Sequence, residues 1–477
     1  MKSHRLLSTL AVPLLLAACA TPAHPPAVAV AVAAPAQWQA PLPHQGSLQG
    51  LNQWWQQLND PLLVELIDAA QAVSPTLASA RSRLLQARAT RSTAKAALGP
   101  SLDASASGSR GFNESLGALA TTGQGAVTAS WEIDLFGANR ATLNAAQARA
   151  DGAEAGWHDA RVSVTAEVAD AYFSLRNCER QLAVTQSDAG SRSETARLAD
   201  LSARAGFQAP ATAALARASS TEASARVTQQ RALCDVDVKA LVALSALDES
   251  ALRRKLAQTQ APAMPPALFT IPSLPASVLA QRPDVFTAER EVAAASAEVG
   301  NAYAQRYPRL SLSGSVGTAY VRTGGVGTSF DTWSIGPLSL SLPIFDGGRR
   351  AAGEASAEAR YAEAAALYRA KARQAVREVE QALVNLDSAA QRFGDANAAV
   401  DGYRTSFDAT QARYQGGLAS LVELEDARRQ ALASQTSLLS LERERWSAWV
   451  ALYRAAGGGW TADAPAPGPV GQARAQP

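Results

Sequence analysis

The sequence is short of the residues on which reactive sites are built. Among its 477 residues are four histidines and three cysteines. His4 lies in an apolar leader, and His24 and His44 in a Pro/Ala-rich stretch, so only His158 falls in the patterned part of the chain. A histidine-rich metal site or a Ser-His-Asp triad is excluded on supply alone. No serine elbow, metal cluster or phosphate loop is present, so a periplasmic hydrolase has nothing to work with, and neither enzyme activity nor a cofactor is expected. Neither sign of charge is in excess, with 44 basic against 42 acidic residues. That balance argues against a nucleic-acid partner. Nowhere beyond the leader does the chain approach 18 consecutive apolar residues, so no transmembrane helix is expected.

What is present begins with an address. Lys2 and Arg5 precede an apolar run, Leu6 to Ala17, that is too short to span a bilayer and reads as a signal peptide. The run ends Leu16-Ala17-Ala18-Cys19, small residues before a cysteine. The expectation is a lipoprotein signal over 1–18 with Cys19 acylated and palmitate-bearing; ordinary cleavage beside an incidental cysteine is the plainer reading. Ala20 stands where an inner-membrane retention signal has Asp, which points to the outer membrane of a Gram-negative cell. Residues 19–50, rich in Ala and Pro, read as a tether, and 457–477 as a disordered tail.

Between these lies an internal duplication. Pro75 matches Pro283 and Pro100 matches Pro308 at one offset; Phe136, Arg140 and Arg204 match Phe345, Arg349 and Arg413 at nearly the same one. The copies are taken as 51–260 and 281–456, with a Pro-rich joint over 261–280. Each reads as a helix, two strands and a very long helical hairpin.

The strand segments alternate strictly. Leu102, Ala104 and Ala106 interleave with Asp103, Ser105 and Ser107; Val127, Ala129, Trp131, Ile133 and Leu135 with Thr128, Ser130, Glu132 and Asp134. In the second copy Leu310, Leu312 and Val316, then Leu338, Leu340, Leu342 and Ile344, alternate with serines. Gly336-Pro337 breaks the register, as a bulge or kink does. Period two gives one apolar and one polar face. A half-buried soluble sheet uses the same pattern. Strands of about 10 residues suit a tilted membrane crossing. The Gly/Ser/Thr/Asn-rich stretches 110–124 and 320–332 read as exposed loops, and Trp131 and Trp333 as interface residues. Glu132 and Asp134 are expected on the lumen side. Four strands cannot close a barrel, and an open edge is not tolerated in lipid, so strands must be pooled between chains.

From Ala138 to Arg204 no proline occurs and alanine dominates, which predicts one helix about 100 Å long. Turns are expected at Gly206-Phe207 and at Gly416-Gly417-Leu418, with return helices to about Leu247 and Ala455. A filamentous coiled coil shares the helices but not the strands; a porin-like channel shares the strands but not the helices. Cys178 and Cys234 stand equally far on either side of Gly206. An antiparallel hairpin puts them at one height, and an oxidising compartment favours a Cys178–Cys234 disulfide over two buried thiols.

Several motifs occur in order: Trp54-Trp55 with Asp60-Pro61-Leu62; Asp134-Leu135-Phe136-Gly137; Gln281-Arg282-Pro283-Asp284; Tyr307-Pro308 with Leu310 and Leu312; Leu342-Pro343-Ile344-Phe345-Asp346-Gly347-Gly348-Arg349; and Arg413-Tyr414 with Gly417. In that order the chain resembles the outer membrane factor (TolC-like) family, in its NodT/OprM-type lipoprotein branch. The resemblance implies an α+β membrane protein. It would be a homotrimer with a 12-stranded outer-membrane β-barrel, four strands per protomer, continuous with a 12-helix periplasmic α-barrel. The implied function is the passive exit duct of a tripartite multidrug efflux pump, partnered by a periplasmic adaptor, an inner-membrane RND pump and outer-membrane lipid. It also implies that Gly206, Phe207, Gly416, Gly417 and Leu418 dock the adaptor, and that a gate lies just before the turns. The family commonly has an acid where this chain has Gln411. Gate candidates are therefore Asp408, Gln411 and Arg413, with Asp200 and Arg204 in the first copy. A solvated helix face is the alternative for these five.

Overall fold

The structure is a computed structural model that describes residues 38–40, 55, 58–115, 117–259 and 275–461. Cys19, the signal and tether, and most of the Pro-rich joint lie outside the described residues. The elements, in order, are α1 (Pro61–Val73), α2 (Pro75–Ala96), β1 (Ser101–Asn113), β2 (Ala118–Ile133), α3 (Ala138–Arg204), α4 (Pro210–Ser245), α5 (Glu249–Gln258), α6 (Pro275–Ala280), α7 (Pro283–Ala304), β3 (Arg309–Thr323), β4 (Val326–Ser341), α8 (Arg349–Gln415) and α9 (Leu421–Ala455). Among the described residues no helix is long and apolar enough to cross a membrane. The residues group into two compact units.

The first unit takes in Ser82–Glu154 and Phe286–Ala370. Its strands form one antiparallel sheet in the order β1-β2-β3-β4. The register puts Leu102 beside Ala129 and Ala129 beside Gly314, while Trp131 meets Leu312 and Leu312 meets Leu338. One face is therefore aliphatic and aromatic. The other is a hydroxyl ladder: Ser101 pairs with Ser130 at 2.8 Å and Ser315 with Ser334 at 3.0 Å. Even the aliphatic face is bare in the single chain, with Val316, Trp333 and Leu340 exposed.

Two expectations are corrected here. The strands run 13 to 16 residues rather than about 10. They absorb most of the stretches read as loops, so the connections shrink to 114–117 and 324–325. Glycine marks close pairing as well as turns: a Cβ on Gly317 would strike the Gly125 carbonyl and Ala126. The pairing register shifts between Leu312 and Gly314, opposite Gly336-Pro337.

Asp134 is also corrected. It lies past the end of β2 and caps α3, accepting from the backbone N–H of Asn139 at 3.1 Å and of Arg140 at 2.8 Å. Asp346 does the same for α8, accepting from the N–H of Gly348 at 3.0 Å and of Arg350 at 3.2 Å. A carboxylate here neutralises the helix's positive end. Alanines let the helices approach closely, with Ala145 and Ala148 packed on Ala294, and Val292 and Ala295 on Ala364.

The second unit holds the described residues of Ala33–Arg81, Ala155–Val285 and Lys371–Pro477. Its core is built by Leu63, Leu66 and Ile67 of α1, Tyr172 and Phe173 of α3, Leu241 of α4, Leu383 of α8, and Trp449 and Tyr453 of α9. Phe173 stacks on Trp446 with centroids 3.9 Å apart. Asp60 caps α1 and accepts the Tyr172 hydroxyl. The segment after α9 is not loose at its start. Trp460 is buried, and a Cβ on Gly457 or Gly458 would collide with Gln281 or Val162. The packed body therefore reaches Trp460, a correction to the tail expected from 457.

Candidate functional site: two hairpin turns and a buried ionic tie

Both long hairpins lie in the second unit at their turns, and both turns are made the same way. Gly206 has φ 79° and Gly417 φ 73°. In the first, the N–H of Phe207 donates to the Ser202 carbonyl at 2.9 Å and that of Gly206 to Ala203 at 3.1 Å. In the second, the N–H of Leu418 donates to Arg413 at 2.7 Å and that of Gly417 to Tyr414 at 3.0 Å. This is the left-handed glycine stop of a helix, which satisfies carbonyls that would otherwise lack donors. Gly416 is not in that conformation, and a Cβ there meets nothing closer than 3.6 Å. Only the second glycine of the pair is required by the backbone.

The residue after each stop usually folds back onto an apolar partner one turn earlier. Here that partner is Ser202 or Arg413, so Phe207 is 86% and Leu418 74% exposed. Two large apolar side chains are thus presented on rigid turns.

Counting from the turn glycines fixes the equivalences near the tips. Asp200 and Gln411 each stand six residues before the left-handed glycine, whereas Arg204 falls level with Gln415, not with Arg413. Asp200 is taken up by Arg204 at 2.7 Å and by Arg217 of α4 at 3.1 Å. Arg413 donates to the Leu418 carbonyl at 3.1 Å and braces its own turn. Asp408 is exposed, and no ion pair among the described residues engages it. The five gate candidates therefore share no single cluster within the chain. Under the turns, Ala199, Ala213 and Ala216 pack with Leu421 and Leu424, flanked by Phe407 and Tyr414.

Further along the hairpins lies a group that sequence reasoning missed. The Arg192 side chain is 9% and Asp188 6% exposed, and they pair at 2.9 Å. Arg192 also reaches Ser219 of α4 at 2.6 Å and pairs with Glu425 of α9. Glu425 pairs in turn with Arg428, whose other arm donates to Ser191 at 3.1 Å and Thr195 at 3.0 Å. One buried network thus ties the α3–α4 hairpin to α9. Its traces in the sequence are the Asp188/Arg192 and Glu425/Arg428 spacings of about one helical turn. Ser420-x-x-Glu423 forms a capping box at the start of α9. Cys178 and Cys234 are joined by a disulfide across α3 and α4, with Cα atoms 5.5 Å apart.

Several motifs that mark the chain prove to be joints. The Arg282 side chain is 5% exposed. It donates to the Ala455 carbonyl at 2.9 Å, to Asp284 at 2.7 Å and to Glu378 at 2.8 Å. Burial works to raise the Asp284 carboxyl, but Arg282 and Lys371 outweigh it and hold the group below the usual carboxylate range. Nearby, burial and the charge of Asp284 push Asp159 upward. None of these groups is arranged as nucleophile, base and oxyanion donor.

A paired-strand sheet, two long antiparallel hairpins and an element order repeated twice now stand together. The family model for outer membrane efflux proteins matches residues 66–247 and again 274–458. The chain belongs to the outer membrane efflux protein family. It is 32% identical over 413 residues to the solvent efflux pump outer membrane protein SrpC of Pseudomonas putida, covering 84% of this chain and 86% of that one. It is 31% identical over 431 residues to the outer membrane protein OprJ of Pseudomonas aeruginosa, covering 87% and 88%. The solved open state of the MtrE outer membrane channel from Neisseria gonorrhoeae superposes with a TM-score of 0.76 at 26% identity, over 91% of this chain and 97% of that one. Outer membrane efflux proteins conduct rather than catalyse. This chain is accordingly an outer-membrane efflux channel protein of a Gram-negative cell, and not an enzyme.

Proposed function

We propose that three copies of this chain close one duct, which serves passively as the exit of a tripartite RND-type pump for drugs or other small molecules. The observation that carries it is the sheet. Its outer strands β1 and β4 each have one neighbour, its one face is aliphatic and its other face is a hydroxyl ladder. In lipid such a sheet must find a partner for each open edge, and three fourfold sheets make twelve strands. The aliphatic face then meets acyl chains, and the hydroxyl face with Glu132 meets water.

The hairpin turns take the adaptor. Phe207 and Leu418 are the apolar anchors, held by Gly206 and Gly417, with Gly416 beside them. The gate carboxylate is Asp408, three copies of which around an axis would repel one another and attract cations. Asp200, Arg204, Gln411 and Arg413 shape the turns behind it. Cys19 carries the lipid anchor that holds the assembly at the outer membrane.

The experiment is purification in detergent with the mass measured by light scattering after correction for bound detergent. A mass three times that of the chain is expected, with β-signal retained. A monomer, or a closed species of any other number, removes the reading. Phe207→Asp with Leu418→Asp is expected to abolish copurification of the adaptor and leave the trimer intact. Undiminished copurification sinks the docking assignment alone.

A further inference from the structure

In the first unit a cavity of about 1130 Å³ opens where strands meet helices. Arg309, the first residue of β3, and Arg349, the first of α8, both line it, together with Arg149, Arg350, Arg360 and Glu298. The room comes from small residues such as Ala145, Ala146 and Gly353. Five guanidinium groups thus face one lining carboxylate.

The pairing inside the cavity is uneven. Arg149 is engaged by Glu291 at 2.9 Å and Glu298 at 2.6 Å. Arg350 is held by Asp346 at 2.9 Å, and Arg360 lies 3.7 Å from Glu298. Arg309 and Arg349 enter no ion pair among the described residues. Asp346, three residues before Arg349, is taken up elsewhere: its two oxygens are spent on Arg350 and on the backbone N–H groups of Gly348 and Arg350. Those contacts hold its carboxyl below the ordinary range, the Arg350 hydrogen bond foremost. The second unit has a comparable cavity of about 720 Å³, lined by Arg282, Lys371 and Arg454 but also by Asp159, Glu167, Asp170, Asp284 and Glu378. There acids outnumber bases. In the first the excess is basic.

We propose that this cavity is an anion site, in which Arg309 and Arg349 grip a phosphate-bearing ligand. Guanidinium groups bind phosphate through paired, charge-assisted hydrogen bonds. Arg349 is the first residue of the 67-residue helix α8, whose positive end Asp346 already caps, so the positive charge on offer is that of the guanidinium groups themselves. The polar groups of Asn301, Gln305 and Ser341 line the same space and supply uncharged contacts. The chemistry fits a phosphorylated solute in transit and a phospholipid headgroup alike, because the site lies at the ends of the strands.

The test uses the full-length protein in zwitterionic detergent, titrated calorimetrically with pyrophosphate at low salt. Saturable binding is expected. The Arg309→Gln/Arg349→Gln variant should bind about tenfold more weakly or not at all. Arg369→Gln, an exposed arginine on α8 outside the cavity, should bind as the parent does. Both variants alter exposed side chains, and an unchanged oligomer on mild gels checks the fold. Repeating the titration in nanodiscs of phosphatidylcholine, with and without phosphatidylglycerol, separates the sources. Competition by phosphatidylglycerol assigns the site to a lipid headgroup; its absence assigns it to a soluble anion. Absence of saturable binding, or equal weakening by Arg369→Gln, overturns the site.

Discussion

The α3–α4 hairpin is tied across its middle by a covalent bond, whereas the α8–α9 hairpin contains no cysteine at all. Their turns are built alike, on Gly206 and Gly417, yet their surroundings differ. In the first, the acid near the turn is neutralised twice, Asp200 lying between Arg204 and Arg217. In the second, the equivalent position is Gln411 and the nearby Asp408 has no ion-pair partner among the described residues. Two copies of one design have been given unequal bracing. The second hairpin has no covalent tie of its own, and the Arg192–Glu425–Arg428 network joins its α9 to α3 beside the Arg180–Glu442 and Asp170–Arg443 pairs.

The largest effect expected is on the covalently braced side. Cys178→Ser with Cys234→Ser opens a loop of about 55 residues, worth about 4 kcal/mol on the chain-entropy model. Limited proteolysis mapped by mass should show new cuts within α3 and α4, and none within α8 and α9. Equal loss of protection in both hairpins would mean that they unfold as one body, and the contrast between them would vanish.

The tie comes next. Arg192→Met leaves Asp188 and Glu425 short of their buried partner, and stripping one member from such a group costs about 3 kcal/mol. Adding Asp188→Leu, Glu425→Met and Arg428→Met removes the stranded charges, Arg428 included because Glu425 is its ion-pair partner, and should recover most of that loss. Denaturant midpoints read both changes. A single variant as stable as the parent would show that the network carries no coupling.

A smaller effect separates neighbouring glycines. Gly417→Val forces a β-branched residue into the left-handed region, at a cost of about 1–2 kcal/mol. Gly416→Ala should stay within about 0.5 kcal/mol, because its backbone is ordinary and the space is open. Adaptor capture should fall with the first variant and hold with the second. Loss with both would place the binding contact on Gly416 itself rather than on the shape of the turn.

The comparison also shows what a sequence discloses. The paired cysteines, the proline-free helices and the alternating strands were legible because each is a one-dimensional period. The strand ends were not. Gly111 and Gly123 fell in a stretch read as a loop, yet both pair within the sheet, where glycine also allows Gly317 to approach Gly125 and Ala126 closely. Asp134 continued the strand alternation, and only the geometry of the helix start turned it into a cap. The Arg192 network could not be seen because its members come from three helices far apart in sequence. Arg282-Pro283-Asp284 was visible as a motif, but its purpose, fastening the end of α9 at Ala455, required coordinates.

The smallest expected effect concerns how each return helix begins. Ser420 and Glu423 form a reciprocal cap on α9, with the Ser420 N–H donating to the Glu423 carboxylate at 2.6 Å. That backbone hydrogen bond, followed by the Ser420 side chain, holds the Glu423 carboxyl below the usual range. On α4 the matching position is Ala209, which offers no side-chain cap, and Pro210 follows it. A carboxyl depressed in the folded state contributes stability that is present above its unfolded pKa, near 4.3, and is lost as pH falls through the lower folded value. Below about pH 4, then, the first turn of α9 should begin to fray while that of α4 holds. Amide exchange in the two turns, corrected for intrinsic rates, would show protection falling at Leu424 but not at Thr212 or Ala213. Glu423→Gln should remove most of the pH dependence, since the amide still accepts the hydrogen bond but does not titrate over this range. Parallel loss at both turns would mean that acid acts on something the hairpins share, and the cap would not be what distinguishes them.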